Sequence, residues 1–425
     1  MDRTSLKEAP RVGRTVAASM LLCACAPLLA CLAVVAYVKA RFRGPGVRPI
    51  EVPECLGDTP GVKTMSEVME TLRRVEFHAR MPRALAGALI GLLDLIPMAL
   101  NTNRITAGLV YPYPSAFEPL MLESRDGTPV CGMLALQEDA GARPALILVH
   151  GLYSCKNTIG ILDLAVRAFY RWGFHVLALD LRNFGDSGRF SEAPTSWGYR
   201  ESDDILAAAE YLASLDQVTT VGVCGVSLGA ASTLLAAGRA PAEGPLSGGV
   251  VALNGFSDCA RIMDHVMTMG RPAVERTGIA FFFHLLLAAK TLLSGPRVFF
   301  DLRTYTREVS CQYYEISSEE LDRKASPVNA VREIEVPCLI VHAEDDFIVP
   351  VRDAEELLEA ALDNPMVEGL VVPTGSHSLY PFVSRRWFFE VLHTFFAYWG
   401  DFSLVSDSRS WAVGADMDIF GNPNN

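Results

Sequence analysis

The chain has 425 residues, of which 50% are hydrophobic and 20% charged, and its formal net charge is −12 at pH 7. A composition this apolar can bury a large core, which excludes a chain that is disordered throughout. Glycine and proline follow no period and no internal repeat is visible, so fibrous, solenoid and propeller architectures are excluded as well. Because an acidic chain without a block of Lys and Arg binds phosphate poorly, we expect no nucleic-acid partner.

The cysteines argue against a metal site and against a disulfide framework. Of the ten in the sequence, three lie in an apolar run near the N-terminus and seven are scattered, without a C-x-x-C pair. An odd, scattered set fits neither the spacing of zinc ligands nor a disulfide scaffold. We therefore predict no metal, and no motif in the chain calls for a cofactor.

Residues 16–38 form an uncharged run of 23 residues. A helix of that length would extend about 35 Å, enough to cross ~30 Å of hydrocarbon. A cleaved signal peptide usually has a shorter apolar region, and a lipoprotein usually turns polar after its cysteine, whereas this run stays apolar after Cys31. We therefore predict a single-pass membrane anchor and a membrane location. Four basic residues flank the run on each side, so its orientation stays open.

A linker and a helical region separate this run from a more regular part of the chain. Residues 44–61 are rich in proline and glycine, and helical sequence follows. A second apolar segment, 84–100, is interrupted by Asp94 and Pro97 and is too short for a second span, so a buried or interfacial helix is favoured. We divide the chain into an anchor segment at 1–43, a linker and helical region at 44–116, a regular domain at 117–400 and a polar tail at 401–425.

From residue 117 the apolar pattern becomes regular. A turn at Arg125-Asp126-Gly127 separates two short apolar runs, which predicts an antiparallel hairpin. Buried apolar runs then alternate with helical patterns, which predicts a mostly parallel central sheet with helices on both faces. A less regular stretch at about 259–332 precedes the last two strands and is predicted to form a helical cap. Strands are predicted at 117–123, 130–136, 145–149, 176–181, 218–224, 249–253, 339–342 and 369–372, and helices at 159–172, 203–215, 228–238, 353–362 and 387–399.

A serine motif lies where the fifth predicted strand ends and the next helix begins. Residues 225–229 are Gly-Val-Ser-Leu-Gly, the G-x-S-x-G pattern of a strand–turn–helix nucleophile elbow. This turn is so tight that a side chain at either glycine would collide with neighbouring backbone. The alternative is a tight turn with an inert serine. The strand before the motif and the helix after it favour Ser227 as a nucleophile.

A serine nucleophile needs a base, and the base needs an acid that orients it. On a sheet of this kind the order along the chain is serine, acid, histidine. Residues 344–346, Glu-Asp-Asp, follow the seventh predicted strand, and we predict Asp346 as the acid because it directly precedes Phe-Ile-Val-Pro. Glu344 and Asp345 are expected to cap the next segment. Asp258, which follows an earlier strand, is the alternative acid.

His377 is the predicted base. It lies in a Gly-Ser-His loop between the last strand and the last helix, where the order requires it, and the alternative is an ordinary surface histidine. After the third strand the sequence is His150-Gly151-Leu152. We expect the N–H of Leu152 to join that of Leu228 in an oxyanion hole, and His150 to brace the loop.

Together these residues resemble the α/β-hydrolase superfamily over about 117–399. The N-terminal apolar run and the segment Lys324-Ala325-Ser326-Pro327 are similar to membrane-anchored α/β-hydrolase-domain serine lipases and esterases. The resemblance implies the α/β-hydrolase fold and hydrolysis of carboxylic esters, often acylglycerols, by a triad of Ser227, His377 and Asp346. The expected partners are a small-molecule ester or lipid substrate and, through the N-terminal helix, a membrane.

The chain departs from the family pattern in three places, one of which is Ser378-Leu379-Tyr380 after His377, where the family more commonly has a small or glycine-rich sequence. Asn183 stands where the family usually has glycine, and Phe382 stands five residues after His377, which removes a His-x4-Asp acyltransferase signature. An amidase, peptidase or thioesterase on the same fold stays open as an alternative function, and so does a non-enzymatic binding module. Phe-Phe-Phe at 281–283 makes the cap apolar, which suits either an acyl chain or a buried cap helix. The oligomeric state also stays open.

Overall fold

A central sheet organises the part of the chain that the computed structural model describes, which is residues 63–79, 112–138, 141–267, 287–288, 291, 297–346 and 348–400. The strands are β1 Glu118–Glu123, β2 Pro129–Ala135, β3 Arg143–Val149, β4 His175–Asp180, β5 Val218–Val226, β6 Val250–Leu253, β7 Cys338–Ala343 and β8 Val367–Val372. These eight strands lie in the order β1-β2-β4-β3-β5-β6-β7-β8. β1 pairs antiparallel with β2, and β2 with β4, whereas every other neighbouring pair is parallel.

Helices cover both faces of the sheet. Within the described residues they are α1 Met65–Arg73, α2 Ile159–Tyr170, α3 Ser187–Phe190, α4 Glu201–Ala213, α5 Leu228–Ala237, α6 Cys259–Met267, α7 Leu302–Tyr305, α8 Cys311–Tyr313, α9 Ser318–Lys324, α10 Val351–Ala360, α11 Tyr380–Val383 and α12 Arg385–Trp399. One buried cluster contains apolar residues of α4, α5 and α10, and a second contains those of α1, α2 and α12.

β3 illustrates why the strands are apolar throughout. Ile147 and Val149 belong to the first cluster, and Leu146 and Leu148 belong to the second. Successive side chains of a strand point to opposite faces, so a strand covered on both faces needs an apolar residue at every position. All four of these side chains are 0% exposed. The predicted fold class is therefore confirmed, including the antiparallel start and the mostly parallel sheet.

The predicted cap is also present as helical sequence between β6 and β7. It contains α6 to α9, with a π-helical turn at Thr306–Ser310. The Trp197 indole N–H donates to Thr306 Oγ1 at 2.8 Å, which ties this turn to the loop before α4. The cap boundaries at 259–332 stay a prediction, and the Phe-Phe-Phe segment at 281–283 lies outside the described residues.

Residues 63–79, called the arm below, pack against α12 and β8. Thr64 caps α1, since its hydroxyl accepts the N–H of Glu67 at 3.3 Å. Met65, Met69 and Leu72 recur on one side of α1 and are at most 3% exposed. They join the buried cluster that contains the apolar face of α12. The arm is thus part of the same core as the sheet.

Contacts at both ends of α12 hold the arm in place. Lys63 Nζ donates to the carbonyl oxygen of Tyr398 at 2.7 Å, and the Tyr398 hydroxyl donates to Glu67 Oε2 at 2.6 Å. Near the start of α12, the rings of Phe77 and Trp387 meet edge to face with centroids 5.1 Å apart. The arm therefore spans the length of α12.

The predicted membrane anchor and membrane location need correction. Among the residues that the structure describes, no helix is both long enough and apolar enough to cross a membrane. α12, for example, has 15 residues, and a helix of that length extends about 23 Å, less than ~30 Å of hydrocarbon. Residues 16–38, to which the anchor was assigned, lie outside the described residues, as do segments 84–100 and 401–425.

Candidate active site

Ser227 occupies the turn between β5 and α5 in a strained backbone conformation. Its φ of 57° and ψ of −115° lie in a region that residues with a side chain rarely adopt, at a cost of order 1–3 kcal/mol. Two hydrogen bonds hold it there: the Ser227 N–H donates to the Leu253 carbonyl at 2.9 Å, and the Ala231 N–H donates to the Ser227 carbonyl at 3.0 Å. The serine is therefore fixed at the carboxyl edge of β5.

The two glycines of the elbow are needed because backbone approaches backbone. A β-carbon on Gly225 would lie 2.3 Å from the carbonyl oxygen of Gly229. A β-carbon on Gly229 would lie 2.6 Å from the carbonyl oxygens of Val149 and His150. Real β-carbons do not approach this closely, so only glycine fits at either position. The close approach brings the loop after β3 directly onto the elbow.

The loop after β3 also reaches the serine side chain. A β-carbon on Gly151 would lie 3.5 Å from Ser227 Oγ, so the backbone leading into Leu152 faces the hydroxyl. Leu228 is the first residue of α5, and an N–H at this position has no acceptor within its own helix. The helix N-terminus also carries a partial positive charge. The two segments predicted to form an oxyanion hole thus meet at Ser227.

The structure brings Asp346 and His377 into direct contact. His377 Nδ1 lies 2.8 Å from Asp346 Oδ2, and the side chains are 17% and 0% exposed. Asp346 Oδ1 accepts the N–H groups of Ile348 and Val349 at 2.8 Å and 3.0 Å. Burial on its own would raise the pKa of Asp346, but the charge and hydrogen bond of His377, together with His342 and the Asn254 amide, outweigh it and lower the pKa to about 2. Asp346 therefore stays ionised beside the histidine.

The neighbouring acids take other positions. Asp345 does not cap the next segment as expected; its carboxylate accepts from Thr374 Oγ1 at 2.8 Å and from the N–H groups of Gly375 and Ser376 at 3.0 Å and 2.8 Å. It therefore holds the loop that leads into His377. Asp258 accepts the N–H of Arg261 at 2.7 Å, at the start of α6. It caps that helix in the manner of an N-cap aspartate.

His150 joins two loops at the same edge of the sheet. Its Nε2 accepts the N–H of Leu181 at 3.1 Å, so its Nδ1 carries the proton and faces the Gly151 carbonyl at 2.8 Å. The ring is 1% exposed. This histidine thus links the loop after β3 to the loop after β4 and supports the segment that carries Leu152.

A serine elbow, an acid after β7 and a histidine after β8 now lie on one mostly parallel sheet. The chain belongs to the Alpha/beta hydrolase family, whose model matches residues 146–391. This range runs from β3 into α12 and includes Ser227, Asp346 and His377.

Relatives of this hydrolase extend the comparison. An uncharacterized protein of Bacillus subtilis (strain 168), YqkD, is 27% identical over 217 residues, which is 50% of this chain and 59% of that relative. The match thus spans about three fifths of the relative's length. Among solved structures, the Pyrococcus furiosus esterase Pf2001 is 18% identical with a TM-score of 0.48, covering 69% of this chain and 96% of that one. A Pyrococcus horikoshii acylaminoacyl peptidase is 17% identical with a TM-score of 0.43, covering 67% of this chain and 41% of that one. With TM-scores below 0.5, these two likenesses establish neither the fold nor the reaction of this chain.

Sequence reasoning missed two residues at the edge of this hydrolase site, Asn254 and Tyr380. Asn254 directly follows β6, and its position just after a buried strand is the one signal that marks it. Tyr380 opens α11, and nothing in its local sequence indicates a role. The φ of Asn183 is 68°, in the left-handed region that glycine and asparagine adopt most readily. This conformation explains why asparagine can stand here in place of the family's glycine.

Proposed function

We propose that this protein is a serine hydrolase that cleaves carboxylic esters through an acyl-enzyme intermediate. Ser227 is the nucleophile, His377 the general base and acid, and Asp346 the group that orients the imidazole. The N–H groups of Leu152 and Leu228 stabilise the oxyanion. The observation that carries the proposal is the 2.8 Å contact between His377 Nδ1 and the buried carboxylate of Asp346.

That contact supports one tautomer of the histidine. An ionised carboxylate can only accept, so the proton of the neutral imidazole resides on Nδ1 and the lone pair on Nε2. Nε2 then takes the proton from Ser227 Oγ as the oxygen attacks the ester carbonyl. The carbonyl oxygen becomes an oxyanion, and preorganised N–H donors at its position contribute roughly 3 kcal/mol each.

Collapse of the tetrahedral intermediate completes acylation. The bond to the leaving alkoxide breaks as His377 returns the proton to it, and Ser227 keeps the acyl group. Water then attacks the acyl-serine with the same histidine as base, which releases the carboxylic acid and restores the hydroxyl.

The proposal is tested first with a fluorophosphonate, which reacts with activated serines whatever the leaving group of the natural substrate. We expect the wild-type chain to be labelled at Ser227, with the site located by mass spectrometry of the labelled peptide. The Ser227→Ala variant is the negative control. An unlabelled Ser227 in folded wild-type protein would refute serine hydrolase chemistry.

The ester assignment is tested with a substrate panel. We expect p-nitrophenyl esters of increasing acyl length to be hydrolysed much faster than the matched p-nitroanilides, because an alkoxide or phenoxide leaves more readily than an amine. Acyl thioesters of the same lengths complete the panel. A higher kcat/KM on the anilides or the thioesters would replace the esterase assignment with an amidase or a thioesterase.

A further inference from the structure

A buried polar network adjoins the pair formed by Asp346 and His377. Asn254 and Tyr380 are both 0% exposed. The Tyr380 hydroxyl donates to Asn254 Oδ1. Asn254 Nδ2 donates to Asp346 Oδ2 and also to the carbonyl oxygen of Ser376 at 3.1 Å. The amide thus touches both the acid and the residue that directly precedes the base.

The chemistry of these groups allows only one orientation of the amide. The carboxylate of Asp346 and the carbonyl of Ser376 can only accept, so the two hydrogens of Asn254 Nδ2 point to them. Asn254 Oδ1 then faces Tyr380, whose hydroxyl must donate. Every donor meets an acceptor in this arrangement, and a flipped amide would place oxygen against oxygen at two contacts. The carboxylate and the carbonyl therefore set the direction of the amide, and the tyrosine hydroxyl completes the network as the donor to Oδ1.

The network acts on the oxygen that the base uses. Asp346 Oδ2 accepts from the Asn254 amide and lies 2.8 Å from His377 Nδ1, whereas Oδ1 is bound by backbone N–H groups. We propose that Asn254, bound through its Oδ1 by Tyr380, is a positioning residue that holds the acid and the histidine loop at a fixed separation. This inference rests on the proposed serine hydrolase function.

Several titratable groups of the described residues surround Asp346. His377 contacts Oδ2, and His342 Nε2 lies 3.8 Å from it while binding the Val349 carbonyl at 3.0 Å. Asp345 adjoins Asp346 in sequence, and Tyr380 faces it through the amide. Loss of the Asn254 amide removes a partial positive charge beside Asp346, so less of the carboxylate's negative charge is screened from the neighbouring imidazole. The acid limb of a pH–rate curve should then move to higher pH.

The choice of variant follows from the backbone. Asn254 has a φ of 52°, where alanine would add strain of its own. Asn254→Gly removes the amide and keeps this conformation accessible. Tyr380→Phe is the milder change, since it removes only the hydroxyl that donates to Oδ1 of the amide.

Asn364→Ala is the matched control. Its Nδ2 donates to the carbonyl oxygens of Val331 and Ile334 at 3.1 Å and 2.9 Å. It thus performs a similar structural task, but it precedes β8, at the edge of the sheet opposite Ser227.

The experiment measures the second-order rate of fluorophosphonate labelling of the full chain from pH 5 to pH 9. We expect Asn254→Gly to slow labelling by about tenfold to hundredfold at neutral pH, as a misplaced base does, and to move the acid limb up by about half a pH unit. Tyr380→Phe should act in the same direction with a loss of about threefold to tenfold. Asn364→Ala should lower the melting temperature and leave the acid limb in place.

The outcomes separate this inference from the proposed function. If wild-type Ser227 is labelled but the acid limb of Asn254→Gly and Tyr380→Phe coincides with that of wild type, the positioning role is refuted and the hydrolase function stands. A shift of equal size in Asn364→Ala would also refute it, since general loosening would then explain the result. If wild-type Ser227 is not labelled, the function and the inference fall together.

Discussion

The elbow around Ser227 and the loop around His377 are both held firmly, but by different forces. At the elbow, backbone packs on backbone so closely that a β-carbon on Gly225 would lie 2.3 Å from a carbonyl oxygen. At the histidine loop, polar side chains do the holding: Asp345 binds the N–H groups of Gly375 and Ser376, and Asn254 binds the Ser376 carbonyl. A side chain that clashes with backbone at the elbow forces the whole turn to move, whereas hydrogen bonds at the histidine loop can be removed one at a time. The two regions should therefore respond differently to substitution.

The largest effect should come from removing the chemistry without disturbing either scaffold. We expect Ser227→Ala to lower ester hydrolysis by about 10⁴- to 10⁶-fold, because the nucleophile is lost. The melting temperature should stay close to that of wild type, since alanine keeps the β-carbon and removes only the hydroxyl. His377→Ala should behave similarly. Wild-type turnover by purified Ser227→Ala, with Ser214→Ala as the surface control, would refute the nucleophile assignment.

Asp346→Asn should have the next largest effect. The new amide would donate to His377 Nδ1 and favour the tautomer whose Nε2 carries the proton, so kcat should fall by about 10⁴-fold. Thermal unfolding should show a folded protein, because the side chain keeps its shape. Measured kcat at several pH values checks this, and a loss of less than tenfold would exclude Asp346 as the acid.

Gly225→Ala tests whether close backbone packing holds the elbow. A methyl group 2.3 Å from the Gly229 carbonyl forces backbone to move, and we expect a loss of about 3 kcal/mol or more in the free energy of unfolding, with activity falling in parallel. Gly160→Ala is the matched control, since its β-carbon would meet nothing within 4 Å. Urea denaturation measures both. Equal stabilities of the two variants would contradict the close approach at the elbow.

Asp345→Asn should give the smallest effect, and it tests whether polar side chains hold the histidine loop. The pKa of Asp345 is raised, because burial outweighs the hydrogen bonds from Ser376, Thr374 and Gly375 that lower it. The asparagine keeps one acceptor oxygen but loses the other, so the loop before His377 should loosen without collapsing. We expect kcat to fall by about tenfold or less. A loss larger than that of Asp346→Asn would mean that the acid is assigned one residue too late.

Local patterns account for what could be predicted from the sequence. The strands are apolar runs because both faces of the sheet are covered, and β3 was expected at 145–149 and is found at Arg143–Val149. The elbow is recognisable because only glycine fits sterically at residues 225 and 229, on either side of Ser227. Such requirements involve neighbours in the sequence, so they leave a readable motif.

Interactions between distant segments account for what could not. Asp345 was expected to cap the next segment, but its partners at 374–376 lie about 30 residues further along the chain. Asn254 and Tyr380 are separated by 126 positions, and their relation depends on β6 and β8 being close in space. No local spacing records such pairs. The membrane assignment was inferred from the length of the apolar run and from its flanks, and no helix in the described ranges bears it out.

The position of the arm in the sequence affects the order in which the protein folds during synthesis. Its helix α1 leaves the ribosome early, whereas β8 and α12, against which it packs, are among the last described elements to emerge. About 300 residues separate Arg73 from Arg385, a delay of roughly 15–60 s at typical rates of synthesis. During that interval Met65, Met69 and Leu72 are apolar surface without the contacts they make in the folded protein. The arm therefore docks late in folding, and chaperones that bind apolar segments have a long period in which to act on it.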